Sequence, residues 1–108
     1  MLTYKAKGKR GDWFASVNGE EIPCVHEYWL KKLSYHDPHI SKMPKAKEYF
    51  ASIQTFKKVI LTRDDIVQNE IFPSFRRKEY IAVYAIDDCE MNDEGLYFRL
   101  TERIANLR

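Results

Sequence analysis

Residues Asp12 to His26 read DWFASVNGEEIPCVH, and the middle of that stretch decides what kind of fold the chain can adopt. Asn18-Gly19 is a two-residue hairpin turn, because both residues tolerate positive φ and the resulting turn matches the twist of the flanking strands. Reversal there sets Val17 opposite Glu20, Ala15 opposite Ile22 and Trp13 opposite Cys24. Trp13, Ala15, Val17, Ile22, Cys24 and His26 then share one face of an antiparallel ribbon. Pro23 has no N–H to give to a ladder, so the second strand is expected at a sheet edge or at a bulge.

Downstream of this ribbon, LKKLSYHDPHISKM (residues 30–43) is expected to be a connection, with a turn at Asp37-Pro38. PKAKEYFASIQTF (residues 44–56) predicts a helix. Pro44 suits its first turn, and Ala46, Tyr49, Phe50, Ile53 and Phe56 recur at spacings of three and four, forming one apolar stripe. KVILT, Lys58 to Thr62, predicts a short buried strand. Thr62 and Asp65 then have the spacing of a helix start. A short helix up to Phe72, stopped by Pro73, therefore competes with an extended reading of residues 66–72. EYIAVYAIDD, Glu79 to Asp88, is apolar at both parities and predicts a central strand covered on both faces. NDEG (residues 92–95) is a turn, LYFRL (residues 96–100) returns as the antiparallel partner, and TERIANLR (residues 101–108) is expected to close the chain with a short helix capped by Thr101.

Strands adjacent in sequence, without regular βα alternation, predict an α+β fold. The expected architecture is a small, mainly antiparallel sheet, curled or barrel-like, with one amphipathic helix at about 44–56 packed on it. The 108 residues make one domain (1–108), and residues 1–10 form a basic N-terminal segment whose first positions fray. Two Trp, seven Tyr and six Phe are enough to fill a core and leave rings for a surface. The N-terminus lacks the apolar stretch of a secretory signal, and no apolar run is long enough to span a bilayer. Two cysteines make no disulfide framework, so a reducing, cytoplasmic setting with free thiols is expected.

Three chemistries compete for the remaining residues. The first is nucleic-acid binding. The net charge of +2 is unevenly spread: residues 1–58 carry a net +5 and residues 59–108 a net −3. Lys5, Lys7, Lys9 and Arg10 precede Trp13 and Phe14, while Lys31 and Lys32 follow Tyr28 and Trp29. Lysines neutralise phosphates and aromatic faces stack on unpaired bases. This predicts a single-stranded DNA or RNA binder without catalytic residues, in which Lys5, Lys7, Lys9, Arg10, Lys31 and Lys32 contact phosphate and Tyr28 or Trp29 stacks. The second is a metal site or metal-dependent enzyme built from Cys24, His26, His36 and His39, which offer one thiolate and three imidazoles; the spacing matches no established ligand pattern, and no cofactor is expected on the first reading. Nucleophilic catalysis by Cys24 is disfavoured by Glu20, Glu21 and Glu27 nearby in sequence, which would raise its pKa. The run Asp87, Asp88, Glu90, Asp93 and Glu94 reads as a solvated turn rather than a cation loop. The third is a homo-oligomeric or adaptor domain that associates through an edge strand.

Overall fold

The computed structural model describes residues 6–9, 13–68 and 73–107. Its strands are β1 (Ala6–Lys9), β2 (Phe14–Val17), β3 (Glu20–His26), β4 (Leu30–Lys31), β5 (Ser34–Asp37), β6 (Lys58–Gln68), β7 (Pro73–Asn92) and β8 (Gly95–Asn106). One α-helix, α1 (Ala46–Phe56), precedes β6, and 3-10 turns occupy Glu27–Trp29 and Ile40–Lys42. The strands lie in the order β1-β2-β3-β6-β7-β8-β5-β4. All neighbours are antiparallel except β3 and β6, which run parallel. The fold is thus α+β with a mixed sheet, as the element order implied. The sheet is open, with β1 and β4 at its ends, rather than a closed barrel.

The hairpin forms in the expected register, with Val17 opposite Glu20 and Ala15 opposite Ile22, and the Cys24 N–H donates to the Trp13 carbonyl (2.9 Å). Asn18 (φ 51°) and Gly19 (φ 82°) supply the positive dihedrals of the turn. Ala15, Val17, Ile22 and Cys24 share one buried cluster, to which Ile60, Val83 and Ala105 contribute from β6, β7 and β8. Trp13 departs from the expected face. It packs with the other cluster, its ring edge-on to Tyr49 (centroids 4.9 Å apart, planes at 86°).

Pro23 is not at an edge. β3 lies between β2 and β6, and Pro23 is among the most deeply buried side chains. The ladder explains why this is tolerated. Pairing alternates along the hairpin, so Pro23, opposite Phe14, occupies a position where no N–H is required toward β2. On the other side, pairing with β6 begins only at Cys24.

α1 follows the expected stripe. Ala46, Tyr49 and Ile53 are buried, Phe50 is half-buried and Phe56 is exposed. Tyr49 and Ile53 cover Val25, Val59, Leu61 and Ile86. Val59 and Leu61 belong to this cluster and Ile60 to the other, so alternation along β6 divides the core between the two sheet faces. Each fully buried aliphatic chain contributes roughly 1.5–3 kcal/mol. The helix stops at Lys57, whose left-handed φ of 53° turns its N–H onto the Ile53 carbonyl (2.9 Å).

Two further expectations are overturned, and one open choice is decided. Residues 30–37 hold a short hairpin of β4 and β5, and β5 docks on β8. Residues 62–68 continue β6, so the extended alternative holds up to Gln68; the single Thr62 hydroxyl proton has Asp64 Oδ1 (2.8 Å) and the Val25 carbonyl (3.1 Å) as alternative acceptors and caps no turn; residues 69–72 lie outside the described residues. Residues 101–106 continue β8 rather than forming a helix, held in the β7 ladder through Asn106 opposite Ala82. Bulges between Leu61 and Thr62, Arg63 and Asp64, Val83 and Tyr84, and Asp87 and Glu90 bend these long strands.

Candidate functional site

β3 ends at His26, and the chain enters the Glu27–Trp29 turn there. This turn carries the aromatic residues singled out by the sequence. Tyr28 is 50% exposed and stands edge-on to the half-buried Trp29 (centroids 4.8 Å apart), whose ring meets His39 in turn (5.5 Å). Lys31, in β4, and Lys32, with a left-handed φ of 55°, are both exposed. Tyr28, Trp29, Lys31 and Lys32 therefore lie close together along the chain, from the Glu27–Trp29 turn into β4 and just beyond it.

That surface is anchored from below. The Arg63 guanidinium donates to both carboxylate oxygens of Glu27 (Nε 3.0 Å, Nη2 3.4 Å) and pairs with Glu79 (3.0 Å). The His26 N–H donates to the Tyr35 hydroxyl (3.3 Å), and the His26 ring Nδ1 lies 2.9 Å from Oδ2 of Asp64, a carboxylate that is only 3% exposed. Thr62 Oγ1 (2.8 Å) and Arg77 Nε (3.4 Å) meet the other Asp64 oxygen, and the Arg77 guanidinium covers the Tyr80 ring (5.2 Å). Burial pushes the Asp64 pKa up. The hydrogen bonds from His26 and Thr62 and the charges of His26 and Arg77 outweigh it and hold the carboxyl below its ordinary range. Burial, followed by the charge of Asp37, holds the Tyr35 hydroxyl neutral far above its ordinary pKa. These groups bind the end of β3 to β6 and β7 and fix where the aromatic turn sits.

Asp64, Thr62 and Arg77 were missed in the sequence. The one available signal was the Thr62-x-Asp64 spacing, which puts both side chains on one face if residues 62–68 are read as a strand.

The four candidate metal ligands have separate environments. Cys24 is buried in the cluster on the face opposite α1, His26 meets Asp64, His36 stacks on Tyr97 and His39 meets Trp29. Among the described residues, no group of three or more His, Cys, Asp or Glu is placed to hold a metal ion. The proposed phosphate contacts are also divided. Lys7 and Lys9 belong to β1 and Lys31 to β4, at opposite ends of the strand order; Lys5 and Arg10 lie outside the described residues.

Elsewhere, a shallow cavity of about 300 Å³ is lined by Ile53, Gln54, Lys57, Ile86, Asp87, Asp88 and Cys89. Burial pushes the Cys89 thiol up to about 11, which argues against a nucleophile. Alkylation of Cys89 by iodoacetamide at pH 8 is expected to run ~100-fold slower than that of an ordinary thiol, because only the thiolate attacks. Mass spectrometry of a Cys24→Ser variant measures this, and a rate within threefold of glutathione would contradict the burial. Among the described residues, no helix is long and apolar enough to cross a membrane.

Comparison of the chain with protein families, with curated proteins and with solved structures finds no match, so its residues and their geometry are what bear on its function.

Proposed function

We propose that this domain binds single-stranded nucleic acid through the Tyr28–Lys32 surface, acting as a binding module in a reducing, cytoplasmic compartment and not as an enzyme. The observation that carries this reading is the half-exposed Tyr28 ring braced on Trp29, with two exposed lysines following within four residues. An aromatic face that is fixed before binding loses little entropy when a base stacks on it. Nearby ammonium groups release counterions from the phosphates. The Arg63–Glu27 pair and the His26–Asp64 contact support the reading by holding the turn in place. Lys7 and Lys9 on β1 would extend the contact only for a strand long enough to reach the other edge of the sheet.

Fluorescence anisotropy with a labelled single-stranded oligonucleotide, titrated at several salt concentrations, tests this. Replacing Lys31 and Lys32 together by alanine is expected to reduce the slope of log K against log salt by about 1.4, since each phosphate contact on a single strand contributes about 0.7. Tyr28→Ala is expected to weaken binding by about 1–3 kcal/mol with the slope unchanged. Absence of binding by the wild-type protein at low salt would overturn the reading. Sedimentation in the same buffer would then show whether β1 or β4, the open edges of the strand order, pairs two copies instead.

A further inference from the structure

The seam between β5 and β8 has two faces, and the outer one carries a second arrangement of rings. Tyr35 pairs with Phe98 and His36 with Tyr97. Alternation sends the first pair inward, where the rings stack in the core (centroids 4.4 Å apart, planes 9° apart), and the second pair to the opposite face. There His36 is exposed and Tyr97 half-exposed, and their rings lie parallel (4.2 Å, 6°).

Both rings are held by a single residue. The His36 Nε2–H donates to the Glu94 carbonyl (2.9 Å). Tyr97 neighbours the Glu94 side chain; lost hydration, followed by the charge and hydrogen bonding of Glu94, raises its pKa. Glu94 in turn sits in a turn closed by its own N–H donating to Asn92 Oδ1 (2.8 Å). In the next row of the same face, Lys31, Ser34 and Arg99 lie side by side across β4, β5 and β8. Lys31 and Arg99 are exposed. The carboxylates of this face are Glu94, beside the rings themselves, and Asp87 and Glu90 on β7, opposite Arg99 and Tyr97. Charge therefore runs from basic at Lys31 and Arg99 to acidic at Glu94 and β7, with the stacked rings at the boundary.

We infer that the outer face of the β5–β8 seam is a second base-stacking position, in which an unpaired nucleobase lies on the His36–Tyr97 pair while its phosphates are held by Lys31 and Arg99. The inference rests on the nucleic-acid reading of the Tyr28–Lys32 surface and extends it. The Glu27–Trp29 turn lies against β5, and Lys31 belongs to both contacts, so one strand can pass from Tyr28 to His36 along the β4 edge. Glu90 and Asp87 repel phosphate from the β7 side and so set the strand's path. A stacked pair whose rings are already immobilised offers a base a rigid platform, as the Tyr28–Trp29 pair does.

The experiment is anisotropy of fluorescein-labelled oligo(dT) and oligo(dA) of twelve nucleotides with the full chain, wild type and variants. Tyr97→Leu is expected to weaken binding about 5- to 100-fold, and Tyr97→Phe, which keeps the ring and loses only the Glu94 bond, to stay within about threefold of wild type. Arg99→Glu, an exposed position, is expected to weaken binding and reduce the salt dependence. Thermal unfolding of each variant confirms that it is folded; if Tyr97→Leu is not, His36→Ala replaces it with the same expectation. Affinities of folded Tyr97→Leu and Arg99→Glu within twofold of wild type, alongside a loss in Tyr28→Ala, would overturn this inference and leave the first surface standing. Loss of binding in none of the variants, or no binding by wild type, would overturn both.

Discussion

Gly95→Ala is expected to lower the free energy of unfolding by about 3–5 kcal/mol, combining strain at a dihedral reserved for glycine with a steric overlap that side-chain motion cannot relieve. Gly95 has φ 133°. It follows the Asp93–Glu94 turn and faces Asn92 across the β7–β8 ladder. A Cβ there would overlap the Asp37 carbonyl oxygen and stand 2.8 Å from Pro38 Cα and 2.9 Å from the Asp37 carbonyl carbon. All three are backbone atoms, so β5 or β8 must move. Asp37 cannot easily yield, because it is buried and its carboxylate accepts the N–H groups of His39 (2.9 Å) and Ile40 (3.2 Å) as the chain turns toward α1. Since a domain of this kind is held by only about 5–15 kcal/mol, the variant should be marginal at 37 °C. Gly19→Ala is the control. Its φ is 82°, but nothing lies within 4 Å of the added methyl, so its cost is only that of the left-handed backbone, roughly 1–2 kcal/mol. Urea unfolding followed by circular dichroism measures both. Equal midpoints for the two variants would mean that the close approach of β5 to Gly95 does not govern stability.

The same contrast separates what was legible in the sequence from what was not. Asn18-Gly19 could be read because turn type depends on two residues alone, and the register of Val17 with Glu20 and Ala15 with Ile22 follows from it. α1 could be read because a stripe at spacings of three and four over eleven residues has no other economical explanation. The central place of residues 79–88 followed from apolar residues at both parities. The failures share a cause: partners distant in the chain overrode a local signal. Thr62 and Asp65 have helix-start spacing, which left residues 62–72 open between two readings, and it is pairing with β7 that decides for the strand through Gln68. Thr101 could cap a helix, yet β7 continues the ladder to Asn106. β4 and β5 are two and four residues long, too short for periodicity to register. Pro23 marked an edge only under the assumption that a proline must face solvent, whereas here it faces the part of the sheet that β6 has not yet joined. The candidate surface was half visible. Tyr28, Trp29, Lys31 and Lys32 are contiguous, so chain order places them together. The His36–Tyr97 platform and the Asp64 anchor each need a long-range register that no local pattern encodes.

Asp64→Ala is expected to destabilise the protein by about 3–5 kcal/mol, the usual consequence of removing one member of a buried charge pair. The carboxylate is 3% exposed and serves His26, Thr62 and Arg77 together. Its loss removes the carboxylate that pairs with a guanidinium itself only 11% exposed. Asp64→Asn keeps an acceptor for Thr62 and loses the charge, so its cost should be smaller than that of the alanine variant. The pH dependence supplies the second measurement. A carboxyl whose folded pKa is depressed contributes stability that is fully present above the unfolded value of about 3.9 and is lost as pH falls through the lower folded value. The stability difference between wild type and Asp64→Asn should therefore be constant from about pH 5 to 6 and shrink below about pH 4. Other carboxylates titrate in both proteins and cancel in the difference. Because Asp64 fixes the end of β3, the proposed function implies that Asp64→Asn also weakens oligonucleotide binding in proportion to any loosening of the Tyr28 turn, which fluorescence of Trp29, read in a Trp13→Phe background, reports through its contact with Tyr28. A difference that stays flat to pH 3, or an alanine variant within 1 kcal/mol of wild type, would mean that water rather than His26 and Arg77 solvates this carboxylate; the aromatic turn would then be held by the Arg63–Glu27 pair and the Tyr35 hydroxyl instead.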